Sequence, residues 1–185
     1  EPVGEIVEIG ESVISRKVGD RVGISGIEGG CGRCEWCSRG NPFFCAYVVG
    51  TGMTRPGGHA EYVAVPADAT VLLPEALSYE QAAPMFCAGY TVWSGLQWAN
   101  PRPGQTIAVL GIGGLGHLAL QFSLAAGFHT IAVSHSPDKD ALIRSLGVTE
   151  IARSAQDLAK MGGADIVLAC GNSAGAANDI LHALR

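Results

Sequence analysis

Apolar and polar residues alternate with two different periods along the chain, and the period changes near residue 78. Before that point, VGEIVEI (residues 3–9) alternates with a period of two, which is typical of a half-buried strand. Short runs bounded by Gly or Pro predict three more strands: RVGIS, HAEYVAVP and ATVLLP. We expect this half to form a small mixed β-barrel.

After residue 78 the pattern takes the longer period of helices. Ser78, with Gln81 three residues later, predicts a capping box at the start of SYEQAAPMF, and CAGYTVWSGLQWA predicts a longer helix. From Thr106 onward strands and helices alternate, in the order TIAVL, HLALQFSLAA, HTIAVS, PDKDALIRSLG, TEIAR, a short helix from Ala155 and ADIVLA. This alternation predicts a doubly wound parallel sheet with helices, an α/β fold.

Composition and charge narrow the class of protein. Of the 185 residues, 48% are hydrophobic and 16% are charged, which favours a globular protein over a disordered one. The net charge is −5 and no basic stripe occurs, so we expect no nucleic-acid partner. Because no apolar run has the length of a membrane span and no signal-peptide pattern is present, we expect no membrane partner and a cytoplasmic location.

The two ends of the chain suggest a fragment. Glu1 stands where an initiator Met would be expected, and the helical pattern of NDILHALR reaches Arg185 without a Gly or Pro to end it. We therefore expect this chain to be an interior piece of a longer protein.

A glycine-rich turn follows the strand TIAVL directly and leads into the helix HLALQFSLAA. Its GxGxxG spacing is typical of a dinucleotide-binding turn, in which the glycines permit a tight turn, close approach of a pyrophosphate and close packing of the helix. The helix N-terminus would face the anion. The alternative is a Gly-rich turn without a ligand. The candidate cofactor-binding residues are Gly111, Ile112, Gly113, Gly114, Leu115 and Gly116.

Four of the six cysteines lie in one short segment with the spacing C-x2-C-x2-C-x7-C: Cys31, Cys34, Cys37 and Cys45. This spacing favours one tetrahedral structural zinc. An iron–sulfur cluster is the main alternative, because C-x2-C-x2-C also opens a ferredoxin-type run. Disulfides are disfavoured by the tight spacing and the expected compartment.

The other two cysteines stand alone. Cys87 precedes a predicted helix, whose N-terminus would lower the pKa of the thiol and favour a thiolate. A lone cysteine with apolar neighbours is more often a packing residue, and Cys170 keeps that interpretation.

These motifs together resemble the zinc-dependent alcohol dehydrogenases of the medium-chain dehydrogenase/reductase superfamily, in the branch of the cinnamyl alcohol dehydrogenases and bacterial aldehyde reductases. The segments that carry the resemblance occur in the family's order over essentially the whole chain: EPVGEIVEIG, GDRV, the four-cysteine loop, GGHAEY, AAPMFCAGYTVW and GIGGLGH. The resemblance implies a partial GroES-like catalytic domain, residues 1–88, which lacks its N-terminal part. It implies a partial Rossmann domain, residues 89–185, which lacks its C-terminal part.

The resemblance also assigns roles to single residues. It implies that the four clustered cysteines hold the structural zinc and that Cys87 is a ligand of the catalytic zinc. Glu1 matches a carboxylate beside that metal which can coordinate it transiently, and Thr91 would lie against the nicotinamide ring. The family's other catalytic ligands, a Cys and a His, precede the position of Glu1 and are not in this sequence.

The residues after the second strand of the Rossmann half indicate which dinucleotide is bound. NAD enzymes usually have Asp or Glu about 20 residues after the glycines, where it contacts the ribose 2′-hydroxyl. This chain has Ser134 there, followed by His135, Ser136 and Lys139. An uncharged residue with nearby cations favours the 2′-phosphate of NADP(H) over NAD(H). The alternative is that Ser136 only caps the next helix and that Lys139 is a solvated charge.

Two functions remain in competition. The first is a zinc-dependent oxidoreductase that interconverts small alcohols and aldehydes with NADP(H), or with NAD(H), as a homodimer or homotetramer. The second is a non-catalytic zinc and dinucleotide binding module, or an inactive fragment of such an enzyme. A second bound zinc would favour the enzyme.

Overall fold

The structure is a computed structural model that describes residues 1–185. The chain forms two compact units, Glu1–Cys87 and Ala88–Arg185. None of its helices combines the length and the apolar composition that crossing a bilayer requires.

The first unit is built from short strands and irregular chain. Two antiparallel sheets form, one of three strands in the order β1-β2-β5 and one of the two strands β3 and β4. The strands are β1 Val3–Glu5, β2 Arg21–Ile24, β3 Ile27–Gly29, β4 Val49–Gly50 and β5 Thr70–Leu72. The helices are α1 Glu35–Ser38 and α2 Tyr79–Ala82, with 3-10 turns at Pro42–Phe44, Ala67–Ala69 and Ala83–Phe86.

The predicted strand HAEYVAVP (residues 59–66) is wrong. No strand forms there, and no backbone hydrogen bond joins residues 59–65 to another part of the chain. Alternation of apolar and polar residues shows which side chains can share a face, but a strand also needs a partner for its backbone N–H and C=O groups. The first strand ends at Glu5 and does not continue to residue 9: Ile6 still exchanges backbone hydrogen bonds with Gly19 and Asp20, but residues 7–9 have no such partner.

The second unit contains a four-stranded parallel sheet in the order β8-β7-β6-β9, which confirms the predicted sheet. The strands are β6 Thr106–Leu110, β7 His129–Val133, β8 Glu150–Ala152 and β9 Ile166–Ala169. The helices are α3 Ala88–Ala99, α4 Gly114–Ala125, α5 Asp140–Ser145, α6 Ala155–Lys160 and α7 Ala174–Ile180, with 3-10 turns at Pro137–Lys139 and Leu181–Ala183.

Apolar side chains are buried on both faces of this sheet. Ala108 and Ile131 belong to a core cluster with Leu158 of α6 and Ile180 of α7. Their neighbours in sequence point to the opposite face because side chains alternate along a strand. One such neighbour, Ile107, is fully buried, while α4 packs against β6 and β7.

The strand order reverses once in the sheet. The chain adds β7 and β8 on one side of β6, and then returns past both to place β9 on the other side. In parallel α/β sheets a crevice opens at the carboxyl ends of the strands, where the order reverses. The fold therefore predicts a binding site above the ends of β6 and β9.

The sequence also located the start of α2 correctly. Gln81 N–H donates to Ser78 Oγ at 3.2 Å and Ser78 N–H donates to Gln81 Oε1 at 3.1 Å, so both bonds of the capping box are present. The predicted helix PDKDALIRSLG forms as a 3-10 turn followed by α5.

Candidate functional site

A cavity of about 630 Å³ lies along the carboxyl edge of the parallel sheet. Its walls come from the segments that follow all four strands: Leu110–Gly113, Val133–Ser136, Arg153–Gln156 and Cys170–Ser173. The volume is within the range of small-molecule and cofactor sites. The cavity gathers seven of the predicted cofactor residues: Gly111, Ile112, Gly113, Ser134, His135, Ser136 and Lys139.

The glycine turn has the geometry that the spacing predicts. Gly111 has a φ of +86°, and a Cβ there would lie 2.8 Å from the Cα of Gly171, which follows β9. A Cβ on Gly116 would lie 2.0 Å from the carbonyl oxygen of Gly111, so only glycine lets α4 approach the turn this closely. Gly113 is the N-cap of α4 and faces open space, which leaves the helix N-terminus accessible to an anion.

Ser134 lies at the end of β7, on the opposite side of the cavity from β9. It is buried, its N–H donates to the carbonyl of Ala152 at 2.9 Å, and its hydroxyl approaches the carbonyl of Ser136 at 3.5 Å. Ser136 is the N-cap of the following 3-10 turn, but its side chain makes no capping hydrogen bond. Lys139 Nζ is 3.8 Å from a carboxylate oxygen of Asp138, and both side chains are exposed. The side chains of Ser136 and Lys139 therefore make no strong contact within the chain.

An ion pair that sequence reasoning missed stands beside Ser134. Arg153, the first residue after β8, donates to both carboxylate oxygens of Asp140, at 2.8 and 2.5 Å. It also donates to the carbonyl oxygen of Ser134 at 3.1 Å. Hydrogen bonds from Arg153 hold the pKa of Asp140 below its usual value. In the sequence, the only indication that Arg153 belongs to a site is its position at the end of a strand of a parallel sheet, where site residues gather.

The four clustered cysteines meet in the first unit. Cys34 caps α1, Cys45 follows the turn Pro42–Phe44, and the four sulfur atoms all lie within 4.8 Å of one another. A tetrahedron with zinc–sulfur bonds of about 2.3 Å has edges of about 3.8 Å, so the sulfur positions fit one zinc ion. A Cβ on Gly30 would lie 2.8 Å from Cys37 Sγ, so the backbone packs tightly around the cluster. We call residues 30–47 the cysteine lobe.

Backbone N–H groups in the cysteine lobe point at the sulfur atoms. The N–H groups of Cys31 and Tyr47 lie 3.4 and 3.3 Å from Cys45 Sγ, and the Cys37 N–H lies 3.5 Å from Cys34 Sγ. The two bonds to Cys45 lower the pKa of its thiol to about 6, whereas desolvation raises the pKa of Cys37 to about 11. Donors aimed at sulfur favour the thiolate form, which is the form that binds a metal.

The residues that the family resemblance assigns to the reaction itself, Cys87, Glu1 and Thr91, do not line the cavity. Cys87 is exposed and ends the turn Ala83–Phe86, and Glu1 is also exposed. The four-cysteine cluster is the only place where three or more Cys, His, Asp or Glu ligand atoms converge, so no second complete metal site is present. Thr91 is exposed in the first turn of α3 and does not line the cavity. Cys170 does line it, and burial raises the pKa of its thiol to about 11, consistent with a neutral packing residue.

Comparison with known proteins shows which proteins the chain is similar to. The model of the alcohol dehydrogenase GroES-like domain matches residues 1–75. An alcohol dehydrogenase of Geobacillus stearothermophilus is 43% identical over 147 residues, which are 80% of this chain and 43% of that protein. The chain is a homologue of the zinc-type medium-chain alcohol dehydrogenases.

Solved structures of this alcohol dehydrogenase family show the same fold. CAD from Helicobacter pylori, complexed with NADP(H), is 26% identical with a TM-score of 0.87, over 99% of this chain and 55% of that one. A cinnamyl alcohol dehydrogenase from Sorghum bicolor is 33% identical with a TM-score of 0.82, over 92% of this chain and 52% of that one. The chain therefore has a GroES-like unit followed by a four-stranded parallel sheet with helices, and it spans about half the length of the relatives it matches.

Proposed function

We propose that the protein interconverts alcohols and aldehydes by hydride transfer with NADP(H), using zinc. The observation that carries this proposal is the cavity at the carboxyl edge of the parallel sheet, where the glycine turn and an uncharged Ser134 meet. The family supports the reaction class, and the cysteine lobe supports a structural zinc held by four thiolates.

The roles of this chain's residues follow from their positions. The N-terminus of α4 and the open space at Gly113 would receive the pyrophosphate, and the turn from Ser134 to Lys139 would receive the adenosine ribose. Cys87 and Glu1 would contribute ligands to a catalytic zinc, and Thr91 would contact the nicotinamide. The chemistry supplied by the two bound groups is Lewis acidity at the substrate oxygen, from zinc, and hydride exchange, from nicotinamide.

The preference for NADP(H) depends on Ser134. A carboxylate at this buried position would repel a 2′-phosphate and would accept hydrogen bonds from a free ribose hydroxyl. We expect Ser134→Asp to move the ratio of kcat/KM for NADPH over NADH toward NADH by at least about tenfold. Ser145→Asp, an exposed position on α5 outside the cavity, adds the same charge and should leave the ratio unchanged. An unchanged ratio in the Ser134 variant would contradict the proposal.

The second candidate function is a zinc and dinucleotide binding module without catalysis. It is supported by the finding that three or more metal ligands converge at only one place, the four-cysteine cluster. Metal analysis of the full-length protein separates the two. Two zinc ions per subunit and aldehyde-dependent oxidation of NADPH would establish the enzyme, and one zinc ion without turnover would establish the module. The homodimer or homotetramer expected for the family is tested by the mass of the protein in light scattering.

A further inference from the structure

The ion pair beside Ser134 joins two opposite charges, of which only the Arg153 guanidinium belongs to the cavity wall. The side chains of Arg153 and Asp140 are 39% and 29% exposed, so both remain partly accessible from solvent. Arg153 lines the cavity together with Ser134 and Lys139. Its bond to the Ser134 carbonyl fixes the guanidinium next to the residue where the ribose 2′ position is expected.

The Arg153 guanidinium has N–H donors that are not used within the chain. Of its five N–H groups, two on Nη1 are used, by Ser134 and Asp140, and one on Nη2 is used by Asp140. The Nε–H and one Nη2–H have no partner within the chain. An arginine in this state can add a phosphate contact without first losing its existing bonds.

The local charges balance. Lys139 lies near Asp138 and Arg153 pairs with Asp140, while Arg144 and Asp157 add one further charge of each sign near this pair. A 2′-phosphate would therefore bind next to a group of charges whose sum is close to zero. Removing any one of these charges would change the attraction between the group and the phosphate.

We infer that Arg153 and Asp140 act as an opposed pair that sets the dinucleotide preference of this cavity. The guanidinium attracts a 2′-phosphate, and the carboxylate weakens that attraction by sharing the guanidinium. This inference rests on the proposed binding of a dinucleotide in the cavity, but not on which dinucleotide the wild-type protein prefers.

The two partners are expected to act in opposite directions when each is neutralised. Arg153→Gln keeps a donor for the Ser134 carbonyl but removes the positive charge and leaves Asp140 unpaired. We expect it to lower the affinity ratio for adenosine 2′,5′-bisphosphate over 5′-AMP by about fivefold or more. Asp140→Asn keeps one acceptor and releases the guanidinium, so the same ratio should rise. Arg153→Lys, which restores the charge, should recover most of the wild-type ratio.

The measurement is calorimetric binding of adenosine 2′,5′-bisphosphate, 5′-AMP, NADPH and NADH to the full-length protein. Thermal denaturation of each variant shows that it is folded, and Arg102→Met, an exposed arginine outside the cavity, is the control for lost charge. If the pair is only a structural clamp, both neutral variants weaken all four compounds together, and the inference is overturned. A ratio that moves in the same direction in both variants, or not at all, also overturns it.

The same experiment keeps the two proposals apart. Preference of the wild-type protein for NADH would refute the NADP(H) assignment alone, because opposite displacements in the two variants would still establish the pair. Failure of all four compounds to bind would refute both.

Discussion

At the scale of single residues, Gly116 is a position where the backbone leaves no room for a side chain. Since a Cβ there would lie 2.0 Å from the Gly111 carbonyl oxygen, Gly116→Ala must push α4 away from the turn. We expect a loss of about 2 kcal/mol in the free energy of unfolding, measured in urea. Gly114→Ala, at the first residue of the same helix and facing open space, should change it by less than about 1 kcal/mol. Equal losses in both variants would refute this account.

Asp165 gives the fold a defined response to acid. The Arg185 guanidinium, at 2.9 Å, and then the Thr106 N–H, at 2.7 Å, hold the pKa of this carboxyl below its usual 3.8. A lowered pKa in the folded state means that the ionised group stabilises the fold above about pH 4 and that this contribution is lost as the pH falls through the folded-state pKa.

Asp165→Asn removes that titration. We expect the variant to be less stable at neutral pH, and its stability to fall less steeply than that of the wild type below about pH 4. Denaturation midpoints across a pH series measure both effects. Asp68→Asn, at an exposed position of the first unit, is the control and should leave the slope of stability against pH unchanged. If the stability curve of Asp165→Asn runs parallel to that of the wild type, the ionised Asp165 is not the source of the acid response.

At the scale of elements, we expect the cysteine lobe to depend on the zinc ion that its four cysteines are proposed to hold. It contains only one four-residue helix and one short turn, and none of the residues of α1 is buried. We expect Cys45→Ser to lower the zinc content by about one ion per chain and to expose residues 30–47 to proteolysis. Zinc analysis and a timed digest measure these effects, with Cys170→Ser as the matched control. Retention of the full zinc content in Cys45→Ser would refute the four-cysteine site.

The elements also show what could be predicted from sequence. The strands of the parallel sheet were found because each carries a continuous apolar run and lies between helices, so its signal is local. The segment HAEYVAVP carried an equally regular signal but forms no strand, because pairing depends on where another strand lies. The capping box at Ser78 was predicted correctly since both of its bonds join residues three positions apart.

At the scale of the whole molecule, charge and exposed apolar surface act together. The sequence has a pI of about 5.5, while large side chains such as Ile14, Tyr62 and Trp98 are more than 70% exposed. We expect this 185-residue chain to associate most strongly near pH 5.5, where net repulsion vanishes, and least near pH 8. Light scattering across the pH range measures this, and scattering that does not vary with pH would contradict it.

The candidate site could be predicted only in part, because some of its residues are brought together by the topology of the whole sheet. The glycine turn, Ser134 and the four cysteines are recognisable because their spacing along the chain carries the chemistry. Arg153 lies 19 residues after Ser134 and meets it only because β7 and β8 are adjacent in the sheet. Neighbouring strand ends are a property of topology, so no local pattern could have paired these two residues.

The order of the parallel strands has a practical consequence. The residues proposed to choose between the two dinucleotides lie between Ser134 and Arg153, a segment that leaves the sheet at the end of β7 and re-enters it as β8 at its outer edge. The glycine turn follows β6 and β9 lies on the other side of β6, and the proposal gives neither of them a part in that choice. The proposal therefore assigns coenzyme preference to one contiguous segment, residues 134–153, which could be exchanged between relatives without rebuilding the rest of the cavity.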